Sequence, residues 1–124
     1  MGYPCQDTSI HFDALRKANL ERVKLWHGEK GVHHWRTADW AVAAAGEMGE
    51  YCNAVKKLTR HDSGVPAKGD DPDRGNLLIA IGKEMADVII YLDLAAAELG
   101  LDLGACVRDK FNKVSEREGF KVFL

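Results

Sequence analysis

Apolar residues recur along this chain at the three-and-four spacing of helices, in four stretches separated by glycine, proline and short polar runs. After a loose lead-in over residues 1–8, a first helix is predicted from about Ser9 to Trp26. Phe12, Leu15, Ala18 and Leu25 form its apolar stripe, and Asp13 suits its positive N-terminal end. Gly28 and Gly31 end it, and His27 to Arg36 reads as a loop holding His27, His33, His34 and Trp35. Thr37 is a good N-cap for a second helix, with Asp39 in its first turn. That helix carries Trp40, Ala44, Met48, Tyr51, Val55 and Leu58 and ends near His61. Residues 61–75 contain three glycines and two prolines and read as a loop, mobile or functional at that length. A third helix begins near Asp73 or Asn76 and ends at Gly100, a good residue for the position after a helix. Leu101-Asp102 makes a tight turn, with Asp102 as the next N-cap. The fourth helix shows Leu103, Cys106, Val107, Phe111 and Val114 at helical spacing and stops at Gly119. Phe120, Val122, Phe123 and Leu124 form an apolar tail, expected to dock on its own core.

With no repeat, low-complexity tract or linker, the 124 residues suit one all-α domain with its core over about 9–119. One loop joins the second and third helices, so these two should pack antiparallel. Hydrophobic residues make up 46%, which argues against global disorder. A net charge of −2 and the lack of a strongly basic stretch disfavour nucleic-acid backbone binding. Cys5, Cys52 and Cys106 are odd in number and show no C-x-x-C spacing, so they read as free thiols of a reducing compartment. The N-terminus lacks the features of a signal peptide. The apolar stretch from Leu77 to Leu99 is interrupted by Lys83, Glu84, Asp87, Asp93 and Glu98, which favours a core helix over a membrane span. A cytoplasmic protein without a membrane partner is the consistent expectation.

Two acidic motifs change the picture. Glu47-Met48-Gly49-Glu50 lies on the second helix and Glu84-Met85-Ala86-Asp87 on the third. Three residues turn a helix by roughly 300°, so each pair of carboxylates points the same way, about one turn apart. An E-x-x-E is usually a solvated face. Here Glu84 and Asp87 sit inside an otherwise apolar helix, where charges need a partner or a metal. The first motif is framed by Ala43, Ala44, Ala45, Gly46 and Gly49, which let another backbone or a ligand approach. Packed side by side, the two helices would gather four carboxylates in one pocket. Mutual repulsion and desolvation would make that costly without a cation. A hard divalent ion such as Mg²⁺, with Mn²⁺ as a substitute, prefers oxygen ligands and keeps water for chemistry.

Competing chemistries lack their residues. A di-iron carboxylate bundle needs Glu-x-x-His on two helices, and no glutamate here has a histidine three residues later. There is no H-E-x-x-H or cysteine pair for zinc, and no glycine-rich phosphate loop.

Glu47-x-x-Glu50 together with Glu84-x-x-Asp87, the latter running into Val88-Ile89-Ile90-Tyr91-Leu92, resembles the MazG-like all-α nucleoside triphosphate pyrophosphohydrolases. The resemblance runs from about Trp35 to Phe120. It includes Asn53-Ala-Val-Lys56-Lys57, Gly100-Leu-Asp102-Leu and Lys110-Phe111-Asn112. It implies a four-helix, obligately oligomeric Mg²⁺ enzyme, a homodimer or homotetramer, that cleaves an NTP or dNTP between the α- and β-phosphates. Products are a nucleoside monophosphate and pyrophosphate, as in house-cleaning of the nucleotide pool. Glu47, Glu50, Glu84 and Asp87 carry over as metal ligands. Between Glu50 and Glu84 lie 33 residues, more than in many members, and the excess falls in the 61–75 loop.

A triphosphate brings negative charge to a carboxylate site, so metal bridging is required. Glu47 or Glu50 would take a proton from the attacking water. Lys57, seven residues beyond Glu50 and on one stripe with Asn53, would balance phosphate charge or be a solvated lysine. Lys110 and Asn112 have the same two readings. Trp35 and His34 precede the metal helix, and base stacking and core packing are even alternatives for Trp35. Tyr91, one turn after Asp87, lines the pocket or fills the core. His27, His33 and His61 read as loop histidines, and Trp26 and Trp40 as core. Two other functions compete: a non-catalytic helical dimerisation module, and a metal-dependent phosphohydrolase acting on a non-nucleotide substrate.

Overall fold

The computed structural model describes residues 10–65 and 73–124, and the described residues contain four α-helices and no strand. They are α1 (Phe12–His27), α2 (Thr37–Asp62), α3 (Arg74–Glu98) and α4 (Leu103–Glu118). Residues 1–9, with the lead-in and Cys5, and residues 66–72 of the glycine- and proline-rich loop lie outside the described residues. Among the described residues, no helix is long and apolar enough to cross a membrane.

The termini follow from local chemistry. Asp73 Oδ1 accepts from the Asn76 amide at 2.8 Å and starts α3. Asp102 does the same for α4, accepting from the Ala105 amide at 3.0 Å. At the far ends, Gly100 and Gly119 adopt left-handed φ of 71° and 73°. The next amides, those of Leu101 and Phe120, reach back to Ala96 and Ser115 carbonyls at 2.8 and 2.9 Å, closing Schellman turns. Thr37 is the first residue of α2, and its hydroxyl donates to Glu98 Oε2 at 2.9 Å.

The chain forms two compact units. The first, residues 38–92, is the hairpin of α2 and α3. Its helices run antiparallel, because Trp40 meets Tyr91 (ring centroids 6.3 Å apart) near one end and Asp62 meets Arg74 (3.0 Å) at the other. Trp40 is 1% exposed, and Ala44, Ala54, Leu77 and Val88 are also buried. Met48, expected on this stripe, is exposed instead, because Glu47 holds the inward position seven residues after Trp40.

The second unit comprises residues 10–37 and 93–124. Here the expected face of α1 is wrong. Leu25 is 84% exposed and Phe12 and Ala18 are exposed, while Asn19 and Val23 are buried. The reason is a polar network: Asp93, 1% exposed, accepts from Arg16 Nε at 3.0 Å and from Asn19 Nδ2 at 2.9 Å. Arg16 also donates to the Leu101 carbonyl at 2.8 Å. Both carboxylate oxygens are satisfied, which is the condition for burying a charge. Trp26, assigned to the core from sequence, is 67% exposed and stacks under the Arg22 guanidinium at 5.1 Å. Between Gly31 and His34 the expected loop tightens into a 3₁₀ turn, with Gly31 and Val32 buried. The apolar tail does not dock its side chains. Phe120, Val122, Phe123 and Leu124 stay at least half exposed, and Asn112 pins the Leu124 backbone through two hydrogen bonds of 2.8 and 3.2 Å.

Candidate metal centre

The inward positions of α2 run Trp40, Ala44, Glu47, Tyr51, Ala54 and Leu58, and those of α3 run Leu77, Ile81, Glu84, Val88 and Tyr91. Each series keeps the three-and-four step of a helix face, and each has one carboxylate in its middle. Antiparallel packing puts the two carboxylates opposite each other. One oxygen from each of Glu47, Glu84 and Asp87 lies within 4.8 Å of the others, and all three residues are half-buried. Exposed acids often gather without a metal. Glu47 and Glu84 differ in occupying places that the helix pattern reserves for apolar side chains.

The crowding is felt at Glu47. Its pKa is raised above the ordinary 4.5, first by desolvation, then by Asp87, Glu84 and Glu50. Three convergent carboxylate oxygens, half open to water, fit a hard divalent cation that retains several waters. They do not fit zinc or copper in a nitrogen- or sulfur-rich sphere.

Glu50, the fourth expected ligand, is exposed and is not part of this group, though its charge acts on Glu47. Asn53 and Lys57 follow it on α2 and are exposed. Tyr91 is half-buried against Trp40, within the same unit as the acids. The remaining candidates belong to the other unit. Trp35 is half-buried with its ring 4.7 Å from that of His27, edge on, and His34 lies 5.5 Å from His27 on a tilted ring. Lys110 is exposed, and Asn112 is committed to the Leu124 backbone. His27, read as a loop residue, is the last residue of α1 and the centre of these ring contacts. Nothing in the spacing announces this. Neither a family model, nor a curated protein, nor a solved structure matches the chain.

Proposed function

We propose that this protein is a Mg²⁺-dependent, MazG-like nucleoside triphosphate pyrophosphohydrolase, acting as a homodimer or homotetramer. The observation that carries the reading is the convergence of Glu47, Glu84 and Asp87 at inward positions of an antiparallel helix pair. The residues quoted for the family resemblance supply the reaction class. Glu47, Glu84 and Asp87 would hold the metal, with Glu50 joining them through water or by a change of rotamer. Bound Mg²⁺ would neutralise phosphate charge and lower the pKa of the attacking water.

The chain's own residues do the rest. Glu50, exposed and acting on Glu47 by its charge, would accept the water's proton. Glu47 shares that role in its ionised form. Lys57 and Asn53, further along α2, would receive the phosphate tail, and Tyr91 would close the inner wall. His34, Trp35, Lys110 and Asn112, which the family resemblance would bring to the nucleotide, belong to the other unit and are given no role at these carboxylates. The test is a screen of NTPs and dNTPs with Mg²⁺ and chromatographic analysis of products. A monophosphate and pyrophosphate are expected. Orthophosphate with a nucleoside diphosphate would overturn the α–β cleavage, and inertness toward every nucleotide would overturn the enzyme.

A further inference from the structure

On α2 no acid stands between Glu50 and Asp62, and on α3 none stands between Asp73 and Glu84. The end of the hairpin away from the carboxylates is cationic instead. Lys56, Lys57 and Arg60 fall within little more than one turn of α2, with His61 next to them. Arg60 is four residues from one lysine and three from the other, so both are its neighbours on the helix surface. Like charges at these spacings weaken a helix. The helix dipole favours cations in the last turn, where Arg60 and His61 stand, but the two lysines precede that turn.

The acids at this end are already engaged. Asp62 accepts from Arg74 at 3.0 Å and meets His61 at 3.4 Å, and Asp73 caps α3. Lys56, Lys57 and Arg60 have no carboxylate partner among the described residues. Arg60 is half-buried, and its Nε is sealed from water without a hydrogen-bond partner. A guanidinium keeps its charge at every working pH, and a buried donor with no acceptor is costly. Turning outward onto an oxyanion gives Arg60 the acceptors that this chain does not supply.

Placement relates this cluster to the carboxylates. Lys57 is seven residues beyond Glu50 on the same stripe, about 10 Å along the axis. Arg60 is three residues further, about 4.5 Å more. With Lys57 taking the tail of a triphosphate, Arg60 and Lys56 are left for anionic groups beyond the γ-phosphate.

We propose that the substrate is a nucleoside polyphosphate with four or more phosphates in a row, and that Arg60 and Lys56 hold the part beyond the γ-phosphate. The inference rests on the pyrophosphohydrolase reading for the bond cleaved and on the cationic end of α2 for the chain length. Water adds to the α-phosphorus and the bond from that phosphorus to the bridging oxygen breaks. The departing chain takes the bridging oxygen with its electron pair, and the water's proton goes to Glu50 and then to solvent. A nucleoside tetraphosphate thus gives a nucleoside monophosphate and inorganic triphosphate.

Initial rates on a nucleoside triphosphate and the matching tetraphosphate, with Mg²⁺ and the full chain, test it. The parent's kcat/KM should be at least about tenfold higher for the tetraphosphate, with the difference in KM, as a charge-assisted contact allows. Arg60→Gln should bring the ratio near one, and Arg60→Lys should restore part of it. Should Arg60→Gln fail to fold, Lys56→Gln at an exposed position decides by the same ratio. A parent ratio of one or less overturns the proposal, and so do variants that keep the parent's ratio. A parent inert toward every nucleotide refutes the enzyme reading, and calorimetry with Mg²⁺ and inorganic tri- or tetrapolyphosphate then decides the chain length. Tighter binding of the longer chain, lost in Arg60→Gln, supports it. Equal binding of the two chains by the parent overturns it.

Discussion

At Glu47 the protein puts a carboxylate where its helix would otherwise place an apolar side chain. The paired spacing of Glu47 with Glu50 and of Glu84 with Asp87 made the acids visible in the sequence. Their convergence was legible too, because two helices joined by one loop pack against each other. What spacing cannot resolve is which member of a pair turns inward. Residues three apart differ by about 60° around the helix, enough to leave Glu50 in solvent while Glu47 is half-buried. Glu47→Gln removes one charge from the crowded group. Turnover with Mg²⁺ should fall at least about 100-fold, since a lost ligand costs no less than a lost outer partner. Without divalent cations the variant should melt higher than the parent, because the neutral amide escapes both desolvation and repulsion. A clearly lower melting temperature would show that Glu47 is instead a structural ion-pair partner.

Among the elements, α3 and α4 were readable to within a few residues because their ends are chemically marked. Asp73, Asp102, Gly100 and Gly119 act as their residue types dictate. The orientation of α1 was not readable. Its buried face carries Arg16 and Asn19, which a hydrophobic pattern counts as outward, and their partner Asp93 is 77 and 74 residues away in sequence. The 3₁₀ turn was missed because a single short turn leaves no periodicity. Asp93 should therefore be the most sensitive position of its unit. Asp93→Ala removes the carboxylate that accepts from Arg16 Nε and Asn19 Nδ2, and breaking a buried pair costs about 3–5 kcal/mol. Urea unfolding should show a loss of that order, with a smaller loss for Asp93→Asn, which keeps one acceptor. A loss under about 1 kcal/mol would place the network at the level of an exposed ion pair.

For the whole molecule, the proposed metal would compete with protons at one place, and the sign of that competition can be worked out. Glu47 has a folded pKa above its ordinary 4.5. A group raised on folding contributes stability that is complete below the unfolded pKa and is lost as pH rises through the folded one. Without divalent cations, the Glu47 contribution is therefore greatest below pH 4.5 and fades toward neutrality. Asp62 acts in the opposite sense. The Arg74 hydrogen bond lowers its pKa, so its contribution exists above the ordinary 3.8 and is lost on acidification. Comparing the parent with Glu47→Gln cancels Asp62 and the other acids outside the cluster, leaving the profile of Glu47 and the three acids that act on it. In the proposed reading Mg²⁺ would bind the ionised carboxylates, so its stabilisation should grow as pH rises and Glu47 gives up its proton. At a hundredfold excess over its dissociation constant, a ligand specific for the fold adds about 2.7 kcal/mol. Thermal melts across a pH series, with Mg²⁺ or with EDTA, should diverge from pH 4.5 upward for the parent and stay nearly parallel for Glu47→Gln. If the parent's two curves coincide at neutral pH, the carboxylates bind no Mg²⁺ in the free protein, and the metal must arrive already bound to the triphosphate.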